Sequence, residues 1–363
     1  MKVIVVGAGV AGCAIAYELA RRGAQVTLLD ARAPGRGATY ASAGILTPAV
    51  EGNNAPLLHL TSCSLAIYDE FIRRVCADAG VDVDYARNGT LQVAFTKAES
   101  AALEENARRF ASTGVEHVLL DPHEAAALEP ALSTSIVSAL RLPKQGYVSA
   151  EQLVDALVKA ASKYGASVVN CRAERIEDGP SGASVITAHQ TFEADAVVVA
   201  TGSWSIPPFG TTQPAAVKPI RGQLLHLRAD QSIASHVLWG PQCYVVQWRD
   251  LSLLVGATVE DVGFDERTTV EGVRMLLNAA AELVPVLDRA HLQQARVGLR
   301  PKTEDELPSI GRSSTMHHVF HAMGLYRNGV LLAPLTAMLV ADLVLEGREH
   351  DELKMVRPDR FGL

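Results

Sequence analysis

Two sets of residues in this chain have the types and spacing to do chemistry. The first is Gly7, Gly9 and Gly12 in VIVVGAGVAG, with Asp30 closing the next apolar run. In a strand, turn and helix, Gly7 makes the tight turn, Gly9 lets the backbone approach a pyrophosphate, and Gly12 lets the helix pack closely on its strand. The phosphate then sits on the helix N-terminus, where Val10 and Ala11 form the first turn. Asp30 follows at about the 20-residue spacing expected of an acid that accepts hydrogen bonds from a ribose 2′-hydroxyl, which disfavours NADP. The second set surrounds Arg300 in QARVGLRPKTEDELPSIG. Period-two alternation puts Ala295, Val297 and Leu299 on one face and Arg296, Gly298 and Arg300 on the other. Gly298 then leaves space beside Arg300, and Pro301 ends the strand. A guanidinium fork there matches a carboxylate bidentately. The alternative is a surface arginine paired with Glu304, Asp305 or Glu306.

These groups need elements to hold them. KVIVVGAGVAGCAIAYELARRGAQVTLLD reads as a βαβ unit, with Gly23 as the helix stop. FEADAVVVATGSWS reads as a buried strand, Ala196 to Ala200, running into Thr201 and Gly202, where a second backbone approach to a dinucleotide needs a residue without Cβ. GLYRNGVLLAPLTAMLVADLVLEG reads as a glycine-bearing loop and a helix, with Pro334 near its first turn and Gly347 as its stop. Its positive end would face whatever the loop holds, and an isoalloxazine gains negative charge on reduction. Asp121 with Glu124, and Ser149 with Gln152, read as capping boxes, and TKAESAALEENARRF as a solvated amphipathic helix. QLLHLRA, YVVQW and LSLLVGATV predict an antiparallel sheet.

The 363 residues, 48% of them hydrophobic, predict about two domains of an ordinary globular protein. A net charge of −7 without a basic stripe argues against nucleic acid. The five scattered cysteines, with no CxxC, fit isolated thiols and a cytoplasmic location. No targeting segment is legible, and the glycines and Glu18 interrupt the apolar stretch from Val3 to Ala20 too often for a membrane span. His317, His318 and His321 lie in strand-like text without HExxH spacing, so no metal is expected.

In order along the chain, the N-terminal unit, GATYASAGILTP, VVVATGSWS, GLRP with PSIG, and RNGVLLAP resemble the D-amino-acid oxidase superfamily, in its glycine oxidase (ThiO, thiamine-biosynthesis) branch. The resemblance implies an α/β fold, in which a Rossmann-like FAD-binding domain of glutathione-reductase type is interleaved with an α+β substrate domain containing a mainly antiparallel sheet. It implies noncovalent FAD, since no cysteine follows Cys243 and the first histidine is His59. The implied reaction passes a hydride from Cα of a small amino acid or N-substituted glycine to flavin N5, without a general base, and then electrons to dioxygen. By the same resemblance Arg300 clamps the substrate carboxylate, Tyr244 in CYVVQW helps to hold it, and Arg327 lines the cavity beside the flavin. The FAD-binding set it implies adds Ala31, Arg32, Ala41, Ser42, Gly44, Ile45, Glu174, Trp204, Asn328, Gly329, Val330 and Leu331 to the residues above.

The expected FAD-binding pieces are 1–85, 145–212 and 297–363, with substrate-domain pieces 86–144 and 213–296. Leu325, Val259, Gln247 and Trp248 depart from the glycine oxidase pattern, which leaves glycine, sarcosine, another N-alkylglycine and a small D-amino acid open. An amine dehydrogenase, a flavin-binding subunit of a larger amine-oxidising complex, an NAD-dependent dehydrogenase and a homo-oligomer are further readings. Acidic charge disfavours an oxidase acting on tRNA.

Overall fold

A computed structural model describes residues 1–48, 54–204 and 216–363. Ser205 of the VATGSWS stretch and the domain boundary expected at residue 212 lie outside the described residues.

A run of valines and isoleucines suits a strand buried on both faces. Strand Lys2–Val6 lies inside a six-stranded sheet ordered Ser309–Arg312, Val319–Met323, Ala196–Val199, Lys2–Val6, Gln25–Asp30, Ser167–Asn170. Neighbours are parallel except at the Ser309–Arg312 edge. Because side chains alternate, Val3, Val5, Leu28 and Val198 pack on helices Val10–Arg21, Ala150–Lys163 and Gly329–Glu346. Ile4, Val6, Leu29 and Val197 pack on the opposite side, against a meander of strands Ala173–Asp178, Ala183–Thr187 and Thr191–Ala194.

Helix Gly329–Glu346 is long and apolar enough to cross a membrane by composition, yet 78% of that window is buried inside the fold, as suits a core helix. Pro334 lies one turn deeper than expected, inside the helix. Proline has no N–H to offer Val330, and the Tyr68 hydroxyl donates to that carbonyl instead, at 3.1 Å. Gly347 ends the helix in the left-handed conformation, φ 65°.

Beside this helix, buried Glu18 and Asp342 share Arg22, with Arg21 and Arg74 on Glu18 and His350 on Asp342. Burial alone would raise the Asp342 pKa, but hydrogen bonds from Arg22 and His350 hold it below the usual range. A carboxyl depressed in the folded state stabilises it fully above its unfolded pKa, about 4, and that contribution is lost as pH falls through the folded value. Asp342→Asn is expected to cost about 2 kcal/mol at pH 7, because it leaves buried cations underpaired. In urea titrations the gap to wild type should narrow steadily below pH 4.

The second sheet has eight strands, ordered His291–Lys302, Lys218–Arg228, Ser252–Gly256, Tyr244–Gln247, Val237–Trp239, Thr90–Ala94, Ser138–Leu142, Val118–Leu120. Only Val237–Trp239 and Thr90–Ala94 pair in parallel. Leu225, Leu227, Val245 and Val255 pack with Leu276, Ala279 and Leu283 of helix Val270–Leu283. Leu224, Val246 and Leu254 turn the other way, with Tyr244, toward Ala43 and Ile45. The fold is thus the expected one, a Rossmann-like α/β unit interleaved with an α+β unit.

Pro301 does not end its strand. The ladder continues through Pro301↔Pro219 to Lys302↔Lys218. An edge strand tolerates proline because its outward side needs no N–H. The strand therefore runs through the expected boundary between 296 and 297. The Asp121 capping box forms as expected, and Thr96 forms another with Glu99 at the head of helix Lys97–Thr113. Ser149 caps its helix as expected, but the Gln152 side chain accepts from Asp84 N, at 2.7 Å, rather than turning back to Ser149. Of the three histidines considered for metal, His318 bonds Asp178 and His321 is buried in strand Val319–Met323.

Candidate active site

The two sheets enclose one continuous cavity of about 530 Å³. Its lining includes Gly7, Gly9, Val10, Ala11, Asp30, Ala31, Arg32, Ala41, Ser42, Gly44, Ile45, Thr201, Gly202, Trp204, Tyr244, Arg300, Arg327, Asn328, Gly329 and Val330, all singled out from the sequence.

At the first turn, Gly7 has φ 108°, and a Cβ there would collide with the Ala200 carbonyl. A Cβ on Gly12 would overlap the Gly7 carbonyl, so Gly12 supports the turn from beneath and does not line the cavity. Gly9 differs: an added Cβ would meet only Thr39 Oγ1, at 3.5 Å. Internal packing does not demand glycine there, whereas close approach of a ligand to the backbone does. Helices Val10–Arg21 and Gly329–Glu346 both begin at the cavity without a side-chain cap or an acid in the first turn. Val10 N–H donates to Thr39 Oγ1 at 3.1 Å, and the remaining first-turn N–H groups and the positive dipole ends favour an anionic ligand. Gly202, at φ 64°, has open space where a Cβ would stand. These features fit a bound dinucleotide along this wall.

Asp30 has a task beyond the expected one, and three other expectations need correction. Asp30 lines the cavity, but each carboxylate oxygen already accepts a backbone N–H, from Ala8 at 2.6 Å and from Arg32 at 2.8 Å. It staples the glycine turn to the end of its strand, and any ribose hydroxyl would share those oxygens. Glu174 is exposed and lies off the cavity, because a register shift between Ala173 and Arg175 leaves only Cys171, Arg172 and Ala173 on that wall. Leu331 points into the core at 1% exposure, since the helical turn brings only Gly329 and Val330 to the cavity. Gly298 does not make room for Arg300; a Cβ there would press on Ala38 and Ala41.

The room for Arg300 comes from Gly222 on the neighbouring strand, whose added Cβ would collide with the guanidinium itself. Arg300 is half-buried, donates from Nη1 to the Thr258 carbonyl at 2.9 Å, and has no carboxylate partner among the described residues. Its sequence neighbours do not neutralise it: Glu306 pairs with Lys302 at 2.7 Å and Asp305 with Arg360 at 3.0 Å. The Tyr244 ring lies over Gly256, where a Cβ would strike its hydroxyl, and 5.3 Å from the Trp239 ring. Segment 256–258 therefore seats both the Tyr244 hydroxyl and the Arg300 fork. Arg327 lies 5.0 Å from the ring of Tyr326, which holds a left-handed φ of 47°. Buried Cys243 also lines the cavity, and burial pushes its thiol up to about 12, which keeps it protonated and unreactive. Arg32 forms two hydrogen bonds with Glu266, 2.9 and 2.7 Å, and stacks on Trp204.

Gly222→Ala should displace the Arg300 guanidinium without touching the dinucleotide wall. We expect about a 50-fold loss of kcat/KM, since misplacement of about 1 Å at a reacting centre costs on that order. Cofactor absorbance should be unchanged, and steady-state kinetics with a visible spectrum checks both.

A dinucleotide turn, two helix N-termini and a guanidinium with no carboxylate partner among the described residues share one cavity, the arrangement of a dinucleotide-dependent oxidoreductase. The chain belongs to the family described as FAD dependent oxidoreductase (DAO), whose model matches residues 2–343. It is 34% identical to the glycine oxidase of Geobacillus kaustophilus over 94% of this chain and 92% of that protein. The crystal structure of glycine oxidase from that organism superposes with a TM-score of 0.92, covering 96% of each chain. Iminodiacetate oxidase from Chelativorans sp. BNC1 superposes with a TM-score of 0.90 at 28% identity, covering 98% of each chain. A bifunctional protein ThiO/ThiG of Trichormus variabilis is 32% identical over 99% of this chain and 55% of its own length.

Proposed function

We propose that this chain oxidises glycine, sarcosine or another small or N-substituted amino acid at its Cα–N bond, in the manner of a glycine oxidase. The observation that carries the reading is Arg300, a half-buried fork with no carboxylate partner among the described residues, in the cavity that also contains the dinucleotide turn. Gly7, Gly9, Val10 and Ala11, the 41–45 loop, Thr201, Gly202 and the start of helix Gly329–Glu346 would hold noncovalent FAD, which supplies the hydride acceptor. Arg300 and the Tyr244 hydroxyl grip the substrate carboxylate, and that grip fixes which Cα–H faces the cofactor wall. Arg327 flanks the same space. The imine product hydrolyses to a keto acid and ammonia or an amine, with hydrogen peroxide from dioxygen.

The proposed FAD-binding unit comprises 1–85, 145–212 and 297–363 and the substrate unit 86–144 and 213–296, with strand His291–Lys302 shared across the 296/297 boundary. Relatives of ThiO type support a place in thiamine biosynthesis. Peroxide release from the purified yellow protein, measured against glycine, sarcosine, N-alkylglycines and D- and L-amino acids, tests the reading and ranks substrates. Anaerobic bleaching by an amino acid without aerobic peroxide would replace oxidase with dehydrogenase, and a colourless protein would sink the flavin assignment.

A further inference from the structure

Arg296 shares a strand with Arg300 and stands four residues, about 13 Å of strand, before it. It is only 5% exposed, and its charge is spent elsewhere. Nη1 donates to the Glu151 carboxylate and to the Tyr40 carbonyl at 3.2 Å, and Nη2 donates to His226 Nδ1 at 3.0 Å. With the Gln294 amide oxygen turned toward it, that oxygen accepts from Nε at 2.7 Å and from Nη2 at 2.9 Å. A guanidinium has five N–H donors, and these bonds employ all of them. The cation also lies 4.4 Å from the centre of the Tyr40 ring.

The partners come from different parts of the fold. Tyr40 belongs to the short 3-10 turn Ala38–Ala41, Glu151 to helix Ala150–Lys163, and His226 to strand Lys218–Arg228. The turn is fastened on its other side as well, where Thr39 Oγ1 accepts from Val10 N, at 3.1 Å, at the head of the phosphate-facing helix. Two residues beyond Arg296, Gly298 lets Ala38 and Ala41 press against the strand. The turn that leads into the cavity loop at Ala41 and Ser42 is therefore clamped between the dinucleotide helix and the strand that carries Arg300.

We propose that Arg296 is a positioning residue that sets the 38–45 loop, and hence the flavin lying along it, at a fixed offset from the carboxylate anchor Arg300. This rests on the flavin-oxidase reading above. A rigid fork with all five donors satisfied has one geometry, so hydrogen-bond direction at Arg296 fixes the offset that the packing of Ala38 and Ala41 on Gly298 alone would leave free to slide.

The test uses the purified holoenzyme, with Arg296→Met and Glu151→Ala as variants. The flavin absorbance envelope, the FAD dissociation constant, acetate binding read from the flavin spectrum, and the rate of anaerobic reduction at saturating FAD are measured for each. For Arg296→Met we expect an altered absorbance envelope, FAD binding weakened by about tenfold, and reduction slowed about 30- to 100-fold even when FAD is saturating. Acetate affinity should stay within about twofold, because Arg300 is intact. Glu151→Ala, at the solvent edge of the cluster, should shift the same readouts in the same direction by about fivefold and covers the case of an insoluble Arg296→Met. Variants that keep the wild-type envelope and reduce at the wild-type rate once loaded would overturn the proposal and leave Arg296 a purely structural residue. Failure of the wild type to be reduced by any amino acid would instead indict the oxidase reading, while the spectral and FAD-affinity readouts would still judge Arg296.

Discussion

Arg300→Ala should lower kcat/KM for amino acid substrates about 10³-fold while leaving the protein yellow. Removing one partner of a desolvated charge pair costs 2–5 kcal/mol, roughly 30- to 5,000-fold. The upper part of that range applies because no second carboxylate competes for Arg300 among the described residues. Loss of the fork also frees the substrate to rotate, which lowers kcat as well as raising KM. Arg300→Lys keeps the charge but not the planar fork, and should fall between, at about 30- to 100-fold. Peroxide kinetics over a substrate series, with the flavin spectrum recorded on each sample, separates loss of the anchor from loss of the cofactor. An alanine variant retaining more than a tenth of wild-type kcat/KM would remove Arg300 from the carboxylate site.

Gly12→Val should abolish flavin binding outright and yield a colourless, less stable protein. Even a Cβ at this position overlaps the Gly7 carbonyl, and Gly7 cannot retreat because it already lies against Ala200. The helix must therefore move off its strand, which takes the phosphate-facing N–H groups with it. We expect FAD affinity to fall more than about 100-fold and the protein to lose about 3 kcal/mol, as overpacking of a tight contact does. Gly23→Ala is the control. Gly23 has φ 90° but nothing within 4 Å of its added Cβ, so that change should cost about 1 kcal/mol and keep the yellow colour.

The contrast between these glycines explains what was legible in the chain. Gly7, Gly9 and Gly12 could be read because all three belong to one turn of a βαβ unit, where spacing along the chain determines spacing in space, although Gly7 also abuts the distant Ala200. The helix caps at Asp121 and Ser149 were legible for the same reason. Arg300 was legible as a cation at the end of an alternating run, but the cause of its freedom was not. Gly222 makes that space from the adjacent strand, and cross-strand register is not written in local sequence. A glycine within the strand text PIRGQLLHL is the one signal that could have drawn attention to it. Arg296 was placed on the right face but without its task, since Tyr40, Glu151 and His226 converge on it from distant segments. Glu174 came from the resemblance alone, and the bulge beside it turned the side chain to solvent. Asp30 stands at the cavity as its spacing implied, and its oxygens also hold the backbone of the turn, a task spacing did not show.

The two sheets keep separate hydrophobic interiors and meet across the cavity. The Lys2–Val6 sheet is packed by Val3, Val5, Leu28 and their helices, and the Tyr244 sheet by Leu225, Val245, Leu276 and theirs. Distant sites that share no partners contribute to stability nearly independently. Mutations that reshape the substrate side, at Trp239, Tyr244 or Val259, can therefore accumulate without disturbing the dinucleotide turn. On the proposed reading, the 237–259 segment is then a place where a lineage could change its diet while keeping its redox engine.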